Sequence, residues 1–270
     1  RIFNLFPTFS SFKSNFRIMN KKNYWSKKYD PESKDPFVIS RSKIEMYLKC
    51  KRCFFLDRKL SVKPPETLPF TLNSAVDALL KNDFDQARKS KTQHRYLKQF
   101  KINAIPFDHN DLETWRSNFK GIRYHHKKTN FIVTGAIDDV WMNQENNKLH
   151  MVDYKSSSTK DVDKIKYLGQ PWHDGWKRQL DIYGFLFKNN GFDVHETGYF
   201  LFCNAQKELK EFDNKLNFEL AMIPYELNIS WIDQTLLEIK EFLNTKDIPD
   251  YGNNCDNCRF LKENNTLTKD

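Results

Sequence analysis

Two apolar segments separated by six polar residues lie in the middle of the 270-residue chain. Residues 131–141 and 149–155 each have the composition of a β-strand, and the polar stretch 143–148 between them predicts a turn. A tight turn centred on Glu145 and Asn146 joins two antiparallel strands into a hairpin. The sequence therefore predicts a β-hairpin, and the position of the turn sets the register of its two strands.

The predicted register brings three chemically active side chains together. Asp138 lies opposite Asp153, so their carboxylates share one face of the hairpin. Lys155 comes two residues after Asp153 and points to that same face, because side chains alternate across a strand. We therefore predict two acids and a lysine on one sheet surface.

The segments around the hairpin predict the fold class. Helical spacing is found in residues 39–48, 172–187 and 229–243, and two further strands are predicted at 197–204 and 216–224. The order of helix, hairpin, helix, strand, strand and helix is typical of an α/β fold with a central mixed sheet flanked by helices.

Two Cys-x-x-Cys pairs lie about 200 residues apart, Cys50 with Cys53 and Cys255 with Cys258. Four thiolates are the full ligand set of a tetrahedral metal ion or an iron–sulfur cluster, so a shared site would join the N- and C-terminal segments. The alternatives are two redox dithiols or two buried disulfides. Cys203 stands alone in an apolar strand and is predicted to be a buried hydrophobic residue.

The charge balance favours a polyanionic partner. The chain has 44 Lys and Arg against 35 Asp and Glu, a net charge of +9. No apolar run approaches membrane-spanning length, so we expect no membrane segment.

Residues 1–36 form a basic arm in this interpretation, residues 37–262 the folded domain and residues 263–270 a polar tail. Residues 1–18 contain no acid and are typical of an organelle transit peptide or of vector-encoded residues, and Met19 is a candidate start.

Facing carboxylates suggest a metal site. Asp138 and Asp153 lie within apolar strands, where two like charges are costly unless a cation neutralises them. Carboxylate oxygens are preferred ligands of Mg²⁺ and Mn²⁺. The alternative is that each acid is exposed and pairs with a lysine. We predict a Mg²⁺ or Mn²⁺ site, which together with Lys155 is suited to phosphodiester hydrolysis.

Taken in order, these motifs resemble the PD-(D/E)XK nuclease superfamily, and within it the RecB-like branch with the CRISPR-adaptation nucleases and the AddB nuclease domain. Residues 135–138 match the G-x-x-D motif, residues 153–155 match D-x-K, and residues 179–183 match Q-x-x-x-Y. The resemblance covers residues 39–260 and implies a restriction-endonuclease-like core.

The resemblance also implies roles for individual residues. Asp138, Asp153 and the backbone carbonyl of Tyr154 would bind the metal, while Lys155 would orient the attacking water or stabilise charge on the phosphate. Gln179 and Tyr183, one turn apart on a predicted helix, would position the active site or the DNA backbone.

The chain departs from the family pattern at two places. Asp77 stands where the branch tends to carry a metal-binding histidine, and we predict it as a further metal ligand. The iron–sulfur members have one cysteine before the core and three after it, whereas this chain has two and two. The flanking cysteines resemble the iron–sulfur site of these nucleases, which implies a 4Fe–4S cluster, and the two-and-two split leaves Zn²⁺ open as the alternative.

The predicted function is that of a metal-dependent deoxyribonuclease, an exonuclease acting on single strands or duplex ends. It would act inside the cell, in the cytoplasm or nucleoid, or in an organelle if residues 1–18 direct import. Protein partners in a DNA repair or replication complex are expected. The alternative is a catalytically inactive nucleic-acid-binding protein or complex subunit whose cysteine site serves structure or redox sensing.

Overall fold

The computed structural model describes residues 28–65, 68, 70–160 and 163–267. Within these ranges the strands are β1 (Phe37–Ser40), β2 (Ala104–Pro106), β3 (Ile122–His126), β4 (Phe131–Gly135), β5 (Asp139–Asn143), β6 (Leu149–Ser157), β7 (Thr197–Ala205) and β8 (Phe218–Glu226). The helices are α1 (Arg41–Lys49), α2 (Lys51–Lys59), α3 (Thr71–Lys89), α4 (Arg95–Gln99), α5 (Leu112–Arg116), α6 (Lys164–Leu168), α7 (Asp174–Asn189), α8 (Ile232–Asn244) and α9 (Asp256–Leu267).

The strands form two sheets. The larger has the order β2-β5-β6-β7-β8, in which β6 and β7 are parallel and the other neighbours are antiparallel. The smaller has the order β1-β4-β3, with β1 parallel to β4 and β3 antiparallel to it. The predicted α/β class with a central mixed sheet flanked by helices is therefore confirmed.

The hairpin has the predicted register. β5 pairs with β6 so that Asp139 lies opposite Val152, and extending this pairing by one residue sets Asp138 opposite Asp153. The turn is closed by Asn143, whose side-chain oxygen accepts hydrogen bonds from the backbone N–H groups of residues 145 and 146.

The single strand predicted over residues 131–141 is wrong. β4 ends at Gly135 in the small sheet, and β5 begins at Asp139 in the large one. Residues 136–138 connect the two sheets, and Asp138 is the last residue of this connection. An apolar run predicts extended, buried backbone but carries no signal for a change of sheet, because both halves are buried.

Helices cover both faces of the large sheet. On one face α7 contributes Leu180 and Leu186 to a core that includes Phe200 and Phe202 of β7. On the other face Phe84 of α3 packs in a second core with residues of β5, β6 and β7, namely Trp141, Val152, Tyr154, Leu201 and Cys203. Cys203 is buried, as predicted.

The described terminal segments pack on the domain. Tyr29, within the predicted basic arm, is buried, and its hydroxyl donates to Oδ1 of Asn244 in α8 at 2.8 Å. At the other end α9 continues through residues 263–267, which the sequence suggested as a tail. Residues 1–27 and 268–270 lie outside the described residues, including the candidate transit segment and Met19. Among the described helices, none is both long and apolar enough to cross a membrane.

Candidate active site and cysteine site

Asp138 lies at the junction between the two sheets. Its Oδ2 accepts a hydrogen bond of 2.9 Å from the backbone N–H of Tyr154, which ties the end of the connection to β6. The side chain is 22% exposed, so the carboxylate faces solvent on one side. This combination suits an acid that anchors the hairpin and still reaches a ligand.

Asp153 is fully buried in β6 and forms an ion pair with Lys155. Within the described residues, neither of its carboxylate oxygens has a hydrogen-bond partner of normal geometry. Burial raises the pKa of Asp153 to about 7; Lys155 acts to lower this pKa, and Asp138 raises it further. A buried carboxylate with one unpartnered oxygen beside a second acid fits a divalent cation, which would supply the missing partner.

Lys155 connects the sheet to α7. Its Nζ donates to Oε1 of Gln179 at 3.3 Å, and Nε2 of Gln179 donates to the hydroxyl of Tyr183 at 2.8 Å. Burial raises the pKa of Tyr183, so the phenol stays neutral and can act as a donor. The structure thus brings Asp153, Lys155, Gln179 and Tyr183 into one chain of contacts.

Gly135 explains how α7 comes so close to the sheet. A Cβ at this position would lie 2.8 Å from Cε1 of Tyr183 and 3.3 Å from Cδ1 of Leu186. A side chain here would push the Tyr183 ring away from the hairpin. The glycine of the G-x-x-D motif is therefore required by packing between strand and helix.

Asp139, the neighbour of Asp138, has a different environment. It is fully buried on the opposite face of the sheet, where it pairs with Arg88 and Arg116 and accepts hydrogen bonds from the side chains of Trp141 and Tyr154. All of its acceptor capacity is used by the protein. Asp139 is thus a structural acid that fastens α3 and α5 to the sheet.

Asp77 lies on α3 near Asp138 without forming a compact ligand group with the other acids. Its Oδ2 is 2.8 Å from Nζ of Lys81, and that same Nζ is 3.5 Å from Oδ1 of Asp138. Burial raises the pKa of Asp77, and the charge of Asp138 raises it further. Sequence reasoning missed Lys81, although its spacing of four residues from Asp77 was a usable signal.

The sequence analysis did not assign Arg41 or Trp176 to the site, but both side chains lie near it. Arg41, the first residue of α1, lines a cavity together with Thr134, Gly135 and Tyr183, and its charge acts to lower the pKa values of Asp153 and Tyr183. On the other side, the ring of Trp176 lies 5.3 Å from Nζ of Lys155.

The four predicted cysteines meet at one place. Sγ of Cys50 lies 3.5 Å from Sγ of Cys258, and Sγ of Cys53 lies 3.5 Å from Cys255 and 3.9 Å from Cys258. None of the four is in a disulfide in this structure. The sulfur atoms of all four cysteines lie within 4.8 Å of one another. In the part of the chain that the structure describes, no other set of three or more Cys, His, Asp or Glu side chains is so compact.

The surroundings of the cysteines fit a bound metal. Gly252 approaches so closely that a Cβ there would lie 2.9 Å from Sγ of Cys50. Arg52 stacks on the ring of Tyr251 and donates to the carbonyl of Pro249, which holds the C-terminal segment against α2. The site therefore joins the two ends of the domain, as the spacing of the pairs predicted.

A sequence model of the PD-(D/E)XK nuclease superfamily matches residues 38–262. The chain belongs to the PD-(D/E)XK nuclease superfamily. A search of curated proteins finds no match. The superfamily match covers the hairpin, α7 and both cysteine pairs, so the acids and the lysine described above lie inside the matched region. Membership supports a nuclease fold that uses divalent metal and binds nucleic acid.

Proposed function

We propose that this protein is a Mg²⁺- or Mn²⁺-dependent deoxyribonuclease whose active site is formed by Asp138, Asp153 and Lys155. The observation that carries the proposal is the carboxylate of Asp153, which is fully buried with Oδ1 unpartnered and Oδ2 paired with the Lys155 ammonium. A structural acid in such a position would normally be hydrogen-bonded, as Asp139 is.

The metal would be held by the carboxylates of Asp138 and Asp153, with the backbone carbonyl of Tyr154 as a further candidate ligand. When bound, it would supply positive charge for a phosphate oxygen and lower the pKa of a bound water. Lys155 would orient that water or stabilise charge on the phosphate. Gln179 would hold the Lys155 ammonium through its Oε1, and Tyr183 would in turn hold the Gln179 amide.

We infer a preference for DNA with unpaired nucleotides, as single strands or duplex ends. Trp172 is 69% exposed just before α7, and its ring is linked through His173 to Trp176 beside Lys155. An exposed indole near a phosphate site offers a stacking surface for a base, which a fully paired strand cannot use.

The test is cleavage of end-labelled single-stranded, duplex and circular DNA, and of single-stranded RNA, in Mg²⁺ or Mn²⁺. We expect metal-dependent release of products from linear DNA ends, abolished in Asp153→Asn and Lys155→Met. Asp193→Asn, which changes an exposed acid in the loop after α7, is the matched control and should keep full activity. Cleavage that persists in both site variants would refute the assignment.

A second candidate is a nucleic-acid-binding protein without catalysis, acting as a subunit of a larger complex. One observation favours it: Asp77 stands where related nucleases tend to carry a metal-binding histidine, and a lysine ammonium lies between Asp77 and Asp138. Binding of DNA by the wild-type protein without cleavage in any metal would select this candidate.

The cysteine site has two candidate occupants, a 4Fe–4S cluster and Zn²⁺. The sulfur–sulfur separations of 3.5–3.9 Å match the edge of a tetrahedron around a single zinc ion, about 3.8 Å for Zn–S bonds of about 2.3 Å. In a cubane each thiolate binds a different iron, which separates the sulfurs further. This spacing supports zinc, and metal analysis with an absorption spectrum of anaerobically purified protein decides between them.

We also propose that residues 37–262 form one nuclease domain that acts on intracellular or organellar DNA, with partners from repair or replication. Co-purification of the tagged full chain from its native cell tests the partners, and microscopy of a C-terminally tagged chain tests the compartment.

A further inference from the structure

Lys81 connects two of the acids near the candidate active site. It lies in α3, and its Nζ is 2.8 Å from Oδ2 of Asp77 and 3.5 Å from Oδ1 of Asp138. The side chain is only 21% exposed, so most of it is shielded from water. A surface ion pair between residues four apart on a helix is common, but this ammonium also contacts an acid 57 residues further along the chain.

The ammonium carries its full charge at neutral pH. Its two neighbours are carboxylates, which favour the charged form of the amine. Lys155 similarly pairs with Asp153, which lies in the same strand, β6. Asp138 and Asp153 therefore each have one lysine beside them.

The two oxygens of Asp138 differ in their partners. Oδ2 accepts the N–H of Tyr154, whereas Oδ1 is the oxygen nearest Lys81. In nucleases with two metal ions, the ions lie about 3.5–4 Å apart and commonly share an acid, which clamps the attacking and leaving oxygens. A second divalent ion on the Asp77 side of Asp138 would meet the Lys81 ammonium and be repelled by it.

We propose that the Lys81 ammonium takes the place of a second divalent ion beside Asp138, so that the site binds a single metal ion. Asp77 then acts as a positioning residue that holds Lys81 and is not a metal ligand. This inference rests on the proposed function, because it requires one metal to bind at Asp138 and Asp153. It also explains why Asp77 stands apart from the other acids.

The test counts bound metal directly and does not depend on cleavage. Mn²⁺ is titrated into the protein, with its cysteine site as purified, and bound Mn²⁺ is followed by electron paramagnetic resonance and calorimetry. We expect one Mn²⁺ per wild-type chain and two per chain in Lys81→Met, with the spectrum of two magnetically coupled ions. The double variant Lys81→Met/Asp77→Asn should return to one.

Two control variants separate the explanations. Lys148→Met removes a lysine from an ion pair with Glu196, outside the site, and should leave the count at one. Lys81→Arg keeps the positive charge and should also bind one ion. If Lys81→Met does not fold, as judged by circular dichroism, Lys81→Gln takes its place in the titration.

Each outcome decides the proposal. Two ions in the wild-type protein, or a single ion in both wild type and the folded Lys81 variant, would overturn the role of Lys81 while leaving the metal site intact. No bound Mn²⁺ in any variant would instead refute the catalytic metal site itself, and Lys81's role with it.

Discussion

Asp153→Asn is the substitution that most directly tests the buried charge at the centre of the site. The side chain is fully buried, and Lys155 alone does not compensate for the loss of hydration, so without metal the ionised form destabilises the fold. Asparagine has nearly the same shape and no charge. We therefore expect the variant to be inactive and, in the absence of Mg²⁺, more stable than the wild type at alkaline pH.

The sign follows from proton linkage. Burial raises the pKa of Asp153 from its ordinary 3.8 to about 7 in the folded state. Between these values the folded protein holds a proton that the unfolded chain has lost, so the contribution of this group to stability is present at low pH and is lost as the pH rises towards 7.

The size of this effect follows from the difference between the two pKa values of Asp153. About three pH units, at about 1.4 kcal/mol per unit, lower the unfolding free energy of the wild type by up to about 4 kcal/mol at pH 8. The pKa of about 7 already includes the ion pair with Lys155, so this pairing is not subtracted again. We expect a stabilisation of up to about 4 kcal/mol for the variant at pH 8. Any effect of the substitution that does not depend on pH cancels when pH 5 and pH 8 are compared. The difference in unfolding free energy between the variant and the wild type should be about 3 kcal/mol larger at pH 8 than at pH 5.

The assay is urea unfolding, followed by circular dichroism, of both proteins at pH 5 and pH 8. Mg²⁺ is removed with a resin, because a strong chelator in the buffer would also compete for metal at the cysteine site. Adding Mg²⁺ at pH 8 should stabilise the wild type and leave the variant unchanged. A difference between the two proteins that is the same at both pH values would refute a buried, destabilising charge at Asp153.

Three further predictions concern the packing, the pH dependence and the cysteine site. Gly135→Ala should cost about 1–3 kcal/mol in urea unfolding and lower nuclease activity at least about tenfold, because its Cβ displaces Tyr183. His150→Gln should reduce the acid sensitivity of the fold, because burial lowers the pKa of His150 to about 4. As the pH falls from about 6.5 to 4, the unfolded chain takes up a proton that the folded protein does not, so the unfolding free energy of the wild type falls by up to about 3 kcal/mol. Cys258→Ser should abolish metal binding at the cysteine site and lower the melting temperature, whereas Cys203→Ser should retain the metal, both checked by metal analysis.

Each of these has a contrasting variant. Gly184→Ala places a Cβ 3.1 Å from Cδ1 of Leu227, the mobile end of a side chain, and should be tolerated better than Gly135→Ala. His125→Gln changes an exposed imidazole and should leave the acid sensitivity unaltered. Equal losses of unfolding free energy in Gly135→Ala and Gly184→Ala would contradict the packing argument. The same pH dependence of stability in both histidine variants would contradict the argument for His150. Full metal content in Cys258→Ser would contradict the assignment of the cysteine site.

Local patterns predicted the parts of the site that depend on neighbouring residues. The turn after Asn143 set the register of the hairpin, because antiparallel pairing continues residue by residue from a turn. The four-residue spacing of Gln179 and Tyr183 put both on one face of α7, where the two side chains contact each other. The cysteine pairs likewise predicted a meeting of the two ends of the domain.

Other features appeared only when helices packed on the sheet. Asp138 and Asp139 are adjacent acids of similar appearance in the sequence, yet one faces solvent and the other is enclosed by two arginines from α3 and α5. The contact of Lys81 with Asp138 depends on where α3 crosses the hairpin. Periodicity reports which face of an element is apolar, but it does not specify which residue of a distant element packs against that face. The register of the hairpin and the positions of its acids and lysine were therefore predictable from the sequence. The change of sheet at residues 136–138, the different surroundings of Asp138 and Asp139, and the contact of Lys81 with Asp138 were decided by packing.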